Sequence, residues 1–232
     1  MKQFLDFKPK LLPTLFTIPA LILLLGLSSW QFQRLSWKNN LIKQITYQSQ
    51  LPAETLSEDM DLSSNIYRKV KATGRFLHED EMYMYGGSIE FKGQNGYYIL
   101  TPFILNNNEM IIVNRGWVPE SLKKPNTRTE TLVEGIVEIT GTIMKEEEKT
   151  LYIHDNQPSH NLWFYINLGE ISSFLKKPVA DFYILEEFKA NTLPVGRNIT
   201  PNIRNHHLGY ALTWLFSAIS LLVIYVMYHK KN

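Results

Sequence analysis

Two stretches without a single charged residue, Leu11–Trp30 and Leu208–Tyr228, stand near opposite ends of this chain of 232 residues. A bilayer core is ~30 Å thick and a helix rises ~1.5 Å per residue, so each stretch is long enough to cross it. Hydrocarbon leaves a backbone no partner but itself, which makes both stretches helices. Pro13 and Pro19 lie inside the first, where a membrane helix tolerates them better than a soluble one. A cleaved signal peptide is the competing reading of that stretch. Its apolar region would be shorter, and only Leu27-Ser28-Ser29-Trp30 follows in place of an Ala-x-Ala-like site. An uncleaved anchor is the expectation.

Aromatic residues mark the edges. Trp30 closes the first span, and Tyr210, Trp214, Tyr225 and Tyr228 fit interfacial belts in the second. Lys2, Lys8 and Lys10 precede the first span, and Lys230 and Lys231 follow the second. Positive charge marks the cytoplasmic side, so both termini are expected there. The organisation that follows is a cytoplasmic N-terminus (1–10), a transmembrane helix (11–30), a periplasmic domain (31–207), a second transmembrane helix (208–228) and a cytoplasmic tail (229–232). Ten residues before the first span are too few for a mitochondrial transit peptide. The expected location is therefore a bacterial inner membrane.

The formal charge of +2 argues against nucleic acid as a partner. Cysteine is absent, which excludes disulfides, thiolate zinc sites and thiol catalysis. No Gly-x-Ser-x-Gly, phosphate loop, His-Glu-x-x-His or dinucleotide fingerprint occurs, so an enzyme is not expected.

Between the spans, Leu35, Leu41, Ile42 and Ile45 continue a helical spacing from Arg34 to about Gln50. Short β-branched and aromatic runs then follow one another, bounded by Gly, Pro and Asn. They cover Tyr67–Phe76, Met82–Tyr85, Gly96–Leu105, Met110–Val113, Ile136–Met144, Leu162–Ile166 and Phe182–Phe188. Leu168–Lys176 reads as a short helix stopped by Pro178. The expected fold class is an α+β membrane protein: two transmembrane helices bracketing one β-rich, barrel-like antiparallel domain outside the cytoplasm.

Three groups of residues invite a functional reading. Glu79-Asp80-Glu81 and Glu146-Glu147-Glu148 are most simply solvated turns, and His78, His154, His160 and His229 ordinary loop or surface histidines. Val113-Asn114-Arg115-Gly116-Trp117-Val118-Pro119 reads as a strand end closing in a tight turn, Gly116 supplying the dihedral and Trp117 packing the core. Alternatively Arg115 and Trp117 form a face that meets a partner. The densest stretch is Arg204 to Trp214, with His206 and His207 at the mouth of the second span. On a helix His207 shares a face with Tyr210, Ala211 and Trp214, suited to a flat aromatic ligand on an imidazole. His206 shares one with Gly209, Tyr210, Thr213 and Ser217, suited to close packing on the other membrane helix. The plainer alternative is that both histidines merely sit at the headgroup level, and the residues alone favour it.

Five motifs in order resemble the Surfeit-locus family of cytochrome c oxidase assembly factors: Trp30-Gln31-x-Gln33-Arg34-Leu35-x-Trp37-Lys38; Tyr67-Arg68-Lys69-Val70 with Gly74-x-Phe76; Gly96-Tyr97 with Thr101-Pro102-Phe103; Val113 to Pro119; and Arg204-Asn205-x-His207-Leu208-x-Tyr210 with Thr213-Trp214. The resemblance implies a membrane protein that assists assembly of the haem–copper oxidase at haem a insertion into its largest subunit. It implies haem a as cofactor, with His207 as axial ligand to the iron and Tyr210 and Trp214 flanking the ring. Trp30, Arg34, Asn114, Arg115, Gly116 and Trp117 are then interaction or structural motif residues. The implied partners are the largest oxidase subunit, the proteins of haem a synthesis and assembly, and the lipid bilayer. Asn167 departs from the family pattern, which often has an Asp there. The rival expectations are an interaction scaffold with no cofactor and a membrane-tethered enzyme.

Overall fold

The computed structural model describes residues 9–57, 60–62, 64–87, 94–146, 149–189, 192–199 and 205–230. Arg204, Glu147, Glu148, Lys2, Lys8 and Lys231 lie outside them. The chain divides into a helical unit (residues 1–44 and 201–232) and a sheet unit (Ile45–Thr200).

The helical unit is built from α1 (Leu11–Gln50) and α3 (His207–Lys230), each long and apolar enough to cross a membrane. Leu11, Leu12, Leu15, Phe16, Ile22 and Leu23 of α1 are 62–83% exposed, an apolar surface compatible with membrane anchoring. The less exposed positions of α1 include Thr14, Thr17, Leu21, Leu24, Ser28, Gln31 and Leu35, and those of α3 include His207, Ala211, Trp214, Ala218, Leu221 and Tyr225, with His229 beyond them 1% exposed rather than at the surface where it was expected. Alternating steps of three and four make a heptad seam, the pattern by which two helices coil around each other. Partners cross it in antiparallel order. Thr14 Oγ1 and Tyr225 OH share a hydrogen bond of 2.6 Å, Ser28 Oγ donates to the Ala211 carbonyl at 3.0 Å, and Asn205 Nδ2 donates to Asn39 Oδ1 at 2.9 Å.

The seam corrects one expectation. The small polar stripe of His206, Gly209, Thr213 and Ser217 faces away from α1 and is exposed. The Thr213 and Ser217 hydroxyls are satisfied within α3, donating to the carbonyls of Gly209 (2.9 Å) and Thr213 (2.8 Å), so they need no partner helix. Close approach is provided instead by Ala211 and Ala218, 0% and 2% exposed.

Among the described residues the sheet unit holds eight strands: β1 (Glu54–Thr55), β2 (Lys69–Phe76), β3 (Met82–Gly87), β4 (Asn95–Leu105), β5 (Met110–Pro119), β6 (Val137–Lys145), β7 (Leu162–Trp163) and β8 (Phe182–Glu186), with α2 (Leu168–Leu175) before the last. Their order is β1-β2-β6-β8-β5-β4-β3-β7, and β2 pairs β4 as well, so the pairings return on themselves through β2, β6, β8, β5 and β4. The sheet is mostly antiparallel, as expected, through β2–β4, β2–β6, β3–β4, β4–β5 and β6–β8. β5–β8, β1–β2 and β3–β7 are parallel, and the strands of each of these pairs are joined by a dozen or more residues, as parallel pairing requires.

Both faces of β5 and β8 are covered. One meets a cluster of Val70, Phe103, Ile111, Val113, Ile143 and Ile184; the other meets Trp163, Ile166 and Ile171 beside α2. That double burial explains why both strands read as near-continuous apolar runs. Asn167 caps α2, its Oδ1 accepting from the Glu170 amide at 2.9 Å. An Asp would cap equally well, so this departure has a structural account.

Candidate functional site

His207 is the first residue of α3 and lies on the seam, partly buried. Its Nδ1 sits 2.7 Å from Gln31 Oε1 of α1. An amide oxygen only accepts, so Nδ1 donates in this bond, and in the neutral ring the lone pair is then on Nε2. This is the tautomer that ligates through Nε2, and the bond to Gln31 sets the ring's direction. Of the residues expected beside it, Trp214 lies two turns along the same seam, partly buried, whereas Tyr210 is 58% exposed on the outer flank.

On α1 the same level is aromatic and cationic. The Arg34 guanidinium lies 5.9 Å from the centre of the Trp30 ring and 5.4 Å from that of Trp37, one ring on each neighbouring turn. Trp30 and Trp37 are 48% and 57% exposed. Arg34 is the first charged residue after the uncharged span, which puts this ladder at its edge. Nitrogen donors, aromatic rings and one cation therefore gather where the apolar surface ends. No group of three or more His, Cys, Asp and Glu able to hold a bare metal ion occurs among the described residues. One imidazole beside an apolar surface suits instead a metal that brings its own equatorial ligands.

The second motif occupies the interior of the sheet unit. The reading of Val113–Pro119 as a strand end closing in a tight turn is corrected, since β5 runs on through Pro119, while the unusual dihedral at Gly116 and the burial of Trp117 are as expected. Leu100 pairs with Asn114 and Ile99 with Gly116, so Arg115 is the extra residue of a β-bulge. Gly116 has φ +118°, and a Cβ there would collide with the backbone of Val195 and Gly196. Asn114 Oδ1 accepts from the Gly116 amide at 3.2 Å, and Trp117 Nε1 donates to the Gly86 carbonyl at 3.0 Å. Asn114, Arg115 and Trp117 are 5%, 5% and 3% exposed, so they do not form an outer face.

The bulge turns Arg115 toward Glu81, 3.7 Å away, and Glu186, also 3.7 Å. Glu81 is not in a solvated turn, as its acidic neighbours suggested; its carboxylate is buried against Arg128, with His78 Nδ1 at 3.3 Å and Thr101 Oγ1 at 3.4 Å. Burial pushes this carboxyl upward. Hydrogen bonds from His78 and Arg128, with the charges of Arg128 and Arg115, outweigh that and hold it below the ordinary carboxylate value. Burial in turn lowers the Arg115 guanidinium, opposed by Glu186 and Glu81. Arg115 also donates to the Thr131 carbonyl at 2.8 Å and lies 4.7 Å from the Phe76 ring centre. Arg128 comes from a loop with no strand pairing of its own, so this cluster ties that loop to the sheet.

The SURF1 family model matches residues 18–219. The chain belongs to the SURF1 family. The Surfeit-locus resemblance carried by the five motifs is thereby borne out. The SURF1-like protein of Rickettsia conorii is 36% identical over 214 residues, covering 90% of this chain and 88% of that protein. The SURF1-like protein of Rickettsia felis is 37% identical over the same length, covering 90% and 93%. Surfeit locus protein 1 of Homo sapiens is 32% identical over 225 residues, covering 88% and 73%.

Within this SURF1-family chain the structure brings His207 and Trp214 onto one seam. Tyr210 stands outside that seam, and Asn114 to Trp117 belong to the separate sheet unit. Sequence reasoning named Gln31 only as part of the first family motif, took Glu81 for a solvated turn residue and passed over Arg128. The signal for Gln31 was its place in that motif, at a seam position of α1; nothing local marked the burial of the other two.

Proposed function

We propose that this SURF1-family protein is an assembly factor for a haem–copper terminal oxidase, that it holds haem a through His207, and that it assists haem insertion into the largest subunit. Family membership supports the assembly role. The observation that carries the haem reading is the His207–Gln31 bond, which leaves the Nε2 lone pair free to ligate. The residues fit the group: one imidazole, Trp214 on the same seam, Tyr210 on its flank, and an apolar surface for the macrocycle. When bound, the haem would supply an iron with a position open to imidazole. The chain's own part is to hold, orient and release it, with no bond-making chemistry of its own.

In this reading α1 and α3 cross the inner membrane with both termini cytoplasmic, and the sheet unit lies outside. The buried Glu81–Arg128–Arg115 cluster keeps that unit rigid, and its surface engages the nascent oxidase or the proteins of haem a synthesis. A scaffold role without cofactor is the second reading. One observation favours it: Tyr83, Tyr85, Tyr97 and Phe164 form a chain of ring contacts at 5.8–6.4 Å, with Lys123 over Tyr97 and Tyr83. Tyrosine-rich surfaces of this kind are common at protein contacts. A deletion strain assayed for haem a in its oxidase tests the assembly role: reduced content supports it and normal content with normal activity contradicts it.

A further inference from the structure

We infer that Gln31 is a positioning residue for the haem iron ligand, setting both the tautomer and the donor strength of His207; this rests on the haem reading above. Three observations carry it. The Gln31–His207 contact is short, 2.7 Å, and joins residues 176 apart in sequence through the helix seam. The Ser28–Ala211 bond, one turn away, and the Asn39–Asn205 bond bracket it, so the approach of the two helices holds the amide in place. The acceptor is an oxygen, which permits only Nδ1–H and leaves Nε2 as the ligating nitrogen.

The chemistry has a direction. An imidazole whose Nδ1–H is held by an acceptor is a stronger donor through Nε2, because electron density moves toward the ring as the proton is drawn away. Stronger donation favours ferric over ferrous iron. Removing the acceptor should weaken ferric haem binding and raise the midpoint potential. A carboxylate in its place should lower the potential below that of the native chain.

The test titrates ferric haem b, as haemin, into the full chain in detergent micelles. The variants are Gln31→Leu, Gln31→Glu and His207→Ala, and helix content is checked by circular dichroism. Affinity, the Soret and charge-transfer bands, and the midpoint potential of the bound haem are read. The inference expects Gln31→Leu to lose about 10- to 100-fold in affinity and to raise the potential. It expects Gln31→Glu to restore affinity and lower the potential, and His207→Ala to abolish the ligated spectrum. If His207→Ala removes the spectrum while both Gln31 variants match the native chain in affinity and potential, the positioning role is overturned and the haem reading stands. If Gln31→Glu fails like Gln31→Leu, the role as acceptor is overturned. If His207→Ala binds haem with the native spectrum, the haem reading falls and this inference with it.

Discussion

The carboxylate of Glu81 pairs with the guanidinium of Arg128 across 47 residues of sequence, neither side chain more than 1% exposed. Around that pair the sheet unit gathers a strand start (Glu81), a bulge (Arg115), a loop (Arg128) and a strand end (Glu186).

Breaking the pair from one side strands a buried charge. Glu81→Ala should destabilise the protein by about 3–5 kcal/mol. Chemical unfolding followed by tryptophan fluorescence measures it, Trp117 and Trp163 being buried reporters. A loss below 1 kcal/mol would mean that Arg128 and Arg115 find water in the folded state.

The pH dependence has a defined sign. The folded Glu81 carboxyl is held below its ordinary value, so the unfolded chain binds its proton more readily. The stability it contributes is full above the ordinary carboxylate range and is lost as pH falls through the folded value. Glu81→Gln should flatten that acid limb of a stability–pH curve. An equal slope in both proteins would assign the limb to other groups.

Gly116 sits where only glycine fits. Gly116→Ala should cost about 1–3 kcal/mol from the backbone conformation alone, with the collision against Val195 in addition. Hydrogen exchange should localise the damage, because the Trp117 amide donates to the Val195 carbonyl at 2.9 Å and the Val195 amide donates to the Trp117 carbonyl at 2.8 Å. Unchanged protection of those two amides would contradict the strand–loop bridge.

The helix seam predicts which cysteines can meet. The native chain has none, so an introduced pair reports alone. Ser28→Cys with Ala211→Cys should crosslink on mild oxidation, since the Ser28 hydroxyl already reaches the Ala211 backbone. Ser28→Cys with Thr213→Cys should not, because Thr213 faces away from α1. Crosslinking of the second pair in preference to the first would reverse the face assignment.

These relationships show where reading the chain succeeds. The two apolar spans were legible because absence of charge over twenty residues is a property of composition. Most strands were legible because β-branched and aromatic runs end at Gly, Pro or Asn. Glu81 was not legible: beside Glu79 and Asp80 it looks solvated, and only the arrival of Arg128 and Arg115 accounts for its burial. The Arg115 bulge was hidden because it is a mismatch between β5 and β4, a property of neither strand alone. The packing face of α3 was misjudged because small polar residues suit a helix contact as well as alanine does. Their hydroxyls turned inward to their own carbonyls, and the alanines took the seam. The five family motifs contain both His207 and Gln31, but their pairing became visible only when the two helices were placed side by side.

The account's central claim is that His207 ligates haem. The most direct measurement is the absorption spectrum of the full chain purified from a haem a-producing host, native against His207→Ala, with haem-to-protein ratio quantified. The account predicts a native chain carrying haem with the Soret band of histidine ligation and a variant that has lost both. Full haem occupancy and an unchanged Soret band in His207→Ala would contradict it.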